Sequence, residues 1–81
     1  MIEQKKAIEL VVAELNSANE KFPMFNSPHE GYAVIKEEMD ELWDEIKNNK
    51  YPMSSMKQKV EAIQVGAMAI KFLMSCCEEH L

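Results

Sequence analysis

Two carboxylates in the stretch KEEMDELWDE, residues 36–45, are placed where they could bind a cation. On a helix, Glu38 and Glu41 lie one turn apart at the border of an apolar stripe. Like charges at this spacing repel each other, more strongly when they are partly buried. Protonation or a bound cation relieves that repulsion, and Mg²⁺ prefers such oxygen ligands, completed by water and substrate phosphate. The alternative interpretation is a solvated, acid-rich helix face.

A second polar strip runs along the third predicted helix. At 100° per residue, five of its polar residues fall within about 80° of one another: Lys57, Glu61, Gln64, Lys71 and Ser75. A polar strip on an otherwise apolar helix must face water, a partner or a site, because burying polar groups unpaired costs about 1–3 kcal/mol each. Lys57 and Lys71 either pair with the acids or reach substrate phosphates, and both alternatives remain open here.

The elements that must position these residues are three helices. Pro23, Pro28 and Pro52 divide the chain into three segments, and no alternating β-branched run predicts a strand. We therefore predict an all-α fold with helices over about 2–21, from Pro28 to about 48, and over about 55–78. Ser27 is the expected N-cap of the second helix, with Glu30 completing a capping box. Ser54 or Ser55 is expected to cap the third.

Each helix carries apolar residues at helical spacing. The predicted core stripe of the first comprises Ile8, Val11, Val12, Leu15, Ala18 and Phe22. That of the second comprises Val34, Ile35, Met39, Leu42, Trp43 and Ile46. The third is apolar on two faces, with Val60, Ile63, Ala67, Ile70 and Met74 on one and Val65, Ala69 and Phe72 on the other.

A chain of 81 residues forms one domain, here 1–81, and is expected to be marginally stable alone. Because one three-helix protomer covers only one face of the third helix well, we expect oligomerisation into a four-helix-type core. Trp43 is then a core residue or a subunit contact. A second copy packed in a two-fold arrangement places the acidic strips at the flanks of that core.

Composition excludes several classes of function. The net charge is −5 and the chain has no arginine, which disfavours duplex nucleic acid as a partner. No stretch approaches the roughly 20 uncharged apolar residues that span a membrane. Adjacent Cys76 and Cys77 have no partner for a long-range disulfide, and the start of the chain is not a signal sequence, so we expect a cytoplasmic protein. An acidic protein that binds a phosphorylated ligand needs metal ions to bridge the negative charges.

Two motifs on the second and third helices resemble those of a known family. Glu37-Glu38-Met39-Asp40-Glu41 matches the EExxE motif of the MazG-like nucleotide pyrophosphohydrolases, which belong to the all-α NTP pyrophosphatase superfamily. Glu61-Ala62-Ile63-Gln64 stands where that family carries ExxD. The surrounding residues, HEGYAVIKEEMDELWDEIK and EAIQVGAMAIKF, resemble a short phage- or bacterial-type branch. The resemblance covers roughly residues 28–74.

The resemblance implies Mg²⁺-dependent hydrolysis of a (deoxy)nucleoside triphosphate to the monophosphate and pyrophosphate. If the roles of the family's motif residues hold at the matching positions, the resemblance implies that the catalytic residues are Glu37, Glu38, Glu41 and Glu61. The metal ligands among them would be Glu38, Glu41 and Glu61. Lys57, Gln64 and Lys71 are the expected substrate-binding residues. The resemblance also implies a homodimer or a dimer of dimers.

The chain departs from the family pattern at Gln64, where the family has an aspartate. A glutamine carbonyl can still coordinate Mg²⁺, but the site loses a formal charge and holds metal less tightly. The alternative hypothesis is therefore a catalytically decayed helical module of the same fold, which binds a nucleotide or a protein partner.

Overall fold

The computed structural model describes residues 1–50 and 55–80, and in these residues the protein is all-helical, with three helices and no strand. The helices are α1 (Gln4–Lys21), α2 (Pro28–Asn48) and α3 (Met56–Cys76). Each bound lies within about two residues of its predicted position. Within the same residues no helix is long and apolar enough to cross a membrane.

The central element is α3, against which both other helices pack. No Cα atom of α1 in the described residues comes within 8 Å of one in α2. The side-chain amide of Gln58 donates to the backbone carbonyl of Glu45 at one end of the α2–α3 pair, and Gly31 contacts Phe72 at the other. These contacts make α2 antiparallel to α3, and the short loop over 22–27 makes α1 parallel to α3. A groove between α1 and α2 therefore stays open above α3.

Local signals in the sequence explain where α2 and α3 begin. The hydroxyl of Ser27 accepts a hydrogen bond from the backbone N–H of Glu30 at 3.1 Å, as the capping prediction requires. The Glu30 carboxylate accepts instead from the side-chain amide of Asn26 at 3.0 Å. The hydrogen bonds of the described residues therefore show the Ser27 half of the predicted capping box but not the return bond from Glu30. Ser55 caps α3 by accepting from the backbone N–H of Gln58 at 3.2 Å. The alternative cap Ser54, like Pro52, lies outside the described residues.

The core of the single chain is small and lies where α1 and the loop meet α3. Its buried apolar residues are Leu15, Ala18, Phe25, Ala67 and Met68. Partly buried side chains pack around them: Val11, Val34, Ile35, Ile70, Phe72 and Cys76. The backbone N–H of Phe25 donates to Ser75 Oγ at 3.1 Å, which fixes the loop on α3. The Ser75 hydroxyl in turn donates to Met24 Sδ at 3.3 Å.

The predicted stripes of α1 and α2 are only half buried in one chain. The exposed members are Ile8 and Val12 on α1, Phe22 directly after it, and Met39, Trp43 and Ile46 on α2. Among the described residues no Cα atom of α1 lies within 8 Å of one in α2, so each of these helices is buried mainly along the strip that meets α3. One chain therefore leaves part of each apolar stripe exposed.

One chain was expected to cover one apolar face of α3 and to leave the other exposed, but both faces contain exposed residues. Ala67 has 0% of its surface exposed and lies in the core of one chain, whereas Val60 and Met74, predicted on the same face, are exposed. Leu73 is 62% exposed and Ala69 is also exposed. An exposed apolar surface thus remains on α3, but Ala67 is not part of it.

Candidate functional site

The three predicted metal ligands lie together where α2 packs against α3. One carboxylate oxygen from each of Glu38, Glu41 and Glu61 lies within 4.8 Å of the other two. Antiparallel packing brings this about, because it places the middle of α2 opposite the first half of α3. Glu38 and Glu61 are half-buried and Glu41 is exposed. Exposed acidic groups of this kind are also common where no ion binds.

Burial and neighbouring carboxylates change the protonation of Glu38 and Glu61. Burial, followed by the charges of Glu41 and Glu61, raises the pKa of Glu38 to about 7. Burial and then the neighbouring Glu41 carboxyl also raise the pKa of Glu61. At neutral pH the acid triad (Glu38, Glu41 and Glu61) therefore holds a shared excess of negative charge that a proton or a cation can relieve.

Gln64 is inserted into the same cluster from α3. With its amide oriented to satisfy its hydrogen bonds, the nitrogen donates to Glu38 Oε2 at 2.6 Å and to Glu61 Oε2 at 3.2 Å. The amide thus links the two half-buried carboxylates with neutral donors. Reversing the amide about its last side-chain bond would turn the carbonyl oxygen toward the same point, where it could serve as a ligand.

A groove of about 530 Å³ begins at this cluster and runs along α3 between α1 and α2. Its size falls within the usual range for small-molecule sites. Gln64, Met68 and Lys71 line it from α3. The side chains from the other elements are Glu14, Ala18, Phe22, Pro23, Phe25, Glu30, Val34, Glu37 and Glu38. The loop over 22–27 closes the end of the groove that is farther from the acid triad.

The two predicted substrate lysines lie far apart along the polar strip of α3, on either side of Glu61 and Gln64. Lys71 is only 2% exposed, and its Nζ lies 5.2 Å from the centre of the Phe25 ring. Lys57 is exposed beside Glu61 and Glu45. The two lysines are fourteen positions apart in sequence, which corresponds to about 21 Å along the helix.

Neither lysine pairs with the acids. The ion pairs in the described part of the chain are Lys36 with Asp40 at 3.0 Å and Lys47 with Asp44 at 3.2 Å, both on the surface of α2. Among the described residues, therefore, neither Lys57 nor Lys71 forms an ion pair with the acid triad.

Some features of the site were not anticipated from the sequence. Glu37 lies on the groove wall and is not part of the acid triad. Glu14 of α1 and the aromatic residues of the loop also line the groove. Glu14 stands four residues before Ala18, so the two share a helix side, and that spacing is the signal that could have identified Glu14. The closure of the groove by Phe25 has no comparable local signal.

Comparisons with protein-family models, with curated proteins and with solved structures found no match to this chain.

Proposed function

We propose that this protein is a Mg²⁺-dependent pyrophosphohydrolase that cleaves a (deoxy)nucleoside triphosphate to the monophosphate and pyrophosphate, in the manner of the MazG-like family. The observation that carries the proposal is the convergence of Glu38, Glu41 and Glu61 from two helices at the mouth of a ligand-sized groove. The free, unbridged thiols of Cys76 and Cys77 favour a cytoplasmic setting for it.

The donor set of the acid triad suits a hard divalent cation. Its three members offer only carboxylate oxygens, which Mg²⁺ prefers. The raised pKa of Glu38 reflects repulsion and burial that a cation in the cluster would offset. When bound, Mg²⁺ would neutralise phosphate charge and lower the pKa of a water molecule. Glu38, Glu41 and Glu61 are the residues that would hold it.

The remaining polar residues have roles that follow from their positions. Gln64 can donate an amide hydrogen bond to a phosphate oxygen once a cation occupies Glu38 and Glu61. Lys57, exposed beside Glu61, can attract the leaving pyrophosphate from the side away from the groove. Glu37, on the groove wall, is placed to accept a hydrogen bond from the ligand or from its water.

The experiment that tests the proposal measures pyrophosphate release from each common NTP and dNTP, with Mg²⁺ and with EDTA. We expect release from at least one of them that depends on Mg²⁺. Glu61→Gln should lower the rate by at least a hundredfold, because it removes one negative charge from the proposed metal site without changing the side chain's shape. Glu9→Gln, on the exposed surface of α1, is the matched control. No release from any nucleotide at high enzyme concentration would refute the enzymatic proposal.

One observation favours a second candidate, a module of the same fold that binds a nucleotide or a protein partner without catalysis. The Gln64 amide already satisfies Glu38 and Glu61, which reduces the need for a cation. In that case wild type should bind Mg²⁺ weakly, and Gln64→Asp should gain Mg²⁺ affinity in a calorimetric titration. A fully active wild type would exclude this candidate.

We also propose that two copies, or two such pairs, assemble through the exposed apolar surface into a four-helix-type core. Trp43 is 57% and Leu73 62% exposed in one chain, and apolar side chains of this size gain roughly 1.5–3 kcal/mol each on full burial. Light scattering at micromolar concentration should show at least a dimer, and Leu73→Glu should disperse it. A folded monomeric wild type would contradict the assembly. Ala67→Glu does not test it, because Ala67 is buried within one chain.

A further inference from the structure

Lys71 is the one buried charged residue in the described part of the chain, and it lines the groove. Within residues 1–50 and 55–80 its ammonium group has no ion pair and no hydrogen-bond partner. Its contact is with the ring of Phe25, at 5.2 Å. A cation–π contact offsets only part of the cost of removing an ammonium group from water. A ligand atom that accepts a hydrogen bond would complete this environment.

The walls around Lys71 determine which kind of acceptor fits. Carboxylates of Glu14, Glu30 and Glu37 line the same groove. A phosphate group in this groove would face three negative charges from its walls, with one lysine to offset them. A neutral group with both acceptors and N–H donors could accept a hydrogen bond from the Lys71 ammonium and donate one to a wall carboxylate.

The length of the groove separates Lys71 from the acid triad. Lys71 follows Gln64 by seven residues on α3, which is about 10 Å along the helix axis. The groove is continuous between them, and Phe22 and Pro23 add apolar surface at its closed end. A nucleotide whose phosphates lie at the acid triad therefore extends its base, and not its phosphates, toward Lys71.

We propose that the closed end of the groove binds the nucleobase and that Lys71 selects a 6-oxopurine such as guanine over adenine. This inference rests on the proposed function, because it takes the phosphate position from the acid triad. The ammonium group donates to the adjacent O6 and N7 acceptors of guanine, a pairing that lysine makes readily. A carboxylate of the groove wall accepts from the N1–H and 2-amino groups.

Adenine fits the same end less well. It presents an amino donor where guanine presents O6, so the donor-only ammonium of Lys71 would face another donor. A site built around a hydrogen bond rejects the analogue that lacks the partner, because its buried polar group is then left unpaired. The binding preference therefore comes from Lys71 and should change with it.

The test measures binding of deoxyguanosine and deoxyadenosine to the full chain by NMR, in EDTA, using the methyl groups of Met68 and Ala18 in the groove. We expect deoxyguanosine to bind at least tenfold more tightly. Lys71→Gln should shift the preference toward deoxyadenosine, because a glutamine amide pairs with adenine N6 and N7. Lys71→Met keeps an unbranched side chain of similar length and should reduce the ratio to below about threefold. Lys36→Gln, on the surface of α2, is the matched control.

Equal binding of the two nucleosides, tighter binding of deoxyadenosine, or no methyl shifts with either would overturn the proposal. So would a guanine preference that is unchanged in both Lys71 variants. The assay contains no metal and no hydrolysable phosphate, so its outcome is separate from that of the proposed reaction. Guanine binding through Lys71 without pyrophosphate release would refute only the reaction, and release without base preference would refute only this inference.

Discussion

Replacing Glu38 with glutamine should stabilise the metal-free protein at alkaline pH. A carboxyl whose pKa rises from 4.5 to about 7 on folding disfavours the folded state by about 3 kcal/mol when ionised. Because Glu38 is half-buried and partly screened by solvent, we expect about 1–2 kcal/mol. Glutamine keeps the shape and removes the charge, so Glu38→Gln should recover this free energy at the cost of the proposed metal site.

The pH dependence gives this prediction its sign. The folded state binds the Glu38 proton more tightly than the unfolded state does. Protonation of Glu38 therefore stabilises the fold fully below about pH 4.5, and this stabilisation is lost as the pH rises through about 7. Glu38→Gln should therefore raise the free energy of unfolding at pH 8 and change it little at pH 4.5.

Urea denaturation followed by circular dichroism, in EDTA and at one protein concentration, measures the difference. In thermal scans each kcal/mol should appear as about 4–8 °C in Tm. Glu37→Gln, the exposed neighbour, is the matched control and should change stability by only a few tenths of a kcal/mol. An equal gain at both pH values, or the same gain from Glu37→Gln, would refute the electrostatic explanation.

Two further predictions concern packing and capping. Gly31→Ala should destabilise the fold by about 1–3 kcal/mol in urea denaturation, because a Cβ there would lie 2.6 Å from Phe72 Cδ2. Gly66→Ala should be nearly neutral, because its Cβ would meet the two Val11 methyl groups at 3.2 and 3.5 Å while alanine favours the helix. Equal effects of the two substitutions would contradict the packing. Ser55→Ala should lower the free energy of unfolding by about 1 kcal/mol, because it removes the cap of α3. A urea titration followed by circular dichroism would detect this loss. An unchanged midpoint would show that the cap contributes nothing to stability.

The helix boundaries could be predicted from the sequence because they depend on short-range rules. Ser27, Pro28 and Ser55 mark helix starts through capping, and the structure has them where capping requires. Glu38, Glu41 and Glu61 were grouped because their motifs resemble those of the MazG-like family, and the structure brings their carboxylates together. Their use as metal ligands stays a prediction.

The burial of individual side chains could not be predicted from the sequence, because it depends on how the helices and the loop pack. Helical spacing identifies Ile8 and Trp43 as apolar-face residues, but it does not tell whether their own chain covers them. Lys71 looked like any residue of a polar strip, and its burial follows from Phe25, which lies far away in sequence and folds over it. The amide orientation of Gln64 likewise depends on carboxylates from two helices.

The most direct test of the central claim is ³¹P NMR of the products formed from dGTP and Mg²⁺ by the wild-type protein. Hydrolysis between the α- and β-phosphates, supported by the acid triad, predicts dGMP and pyrophosphate in equal amounts, and their loss in Glu61→Gln. Formation of dGDP and orthophosphate, or product formation that persists in both EDTA and Glu61→Gln, would contradict the assignment of the reaction to Glu38, Glu41 and Glu61.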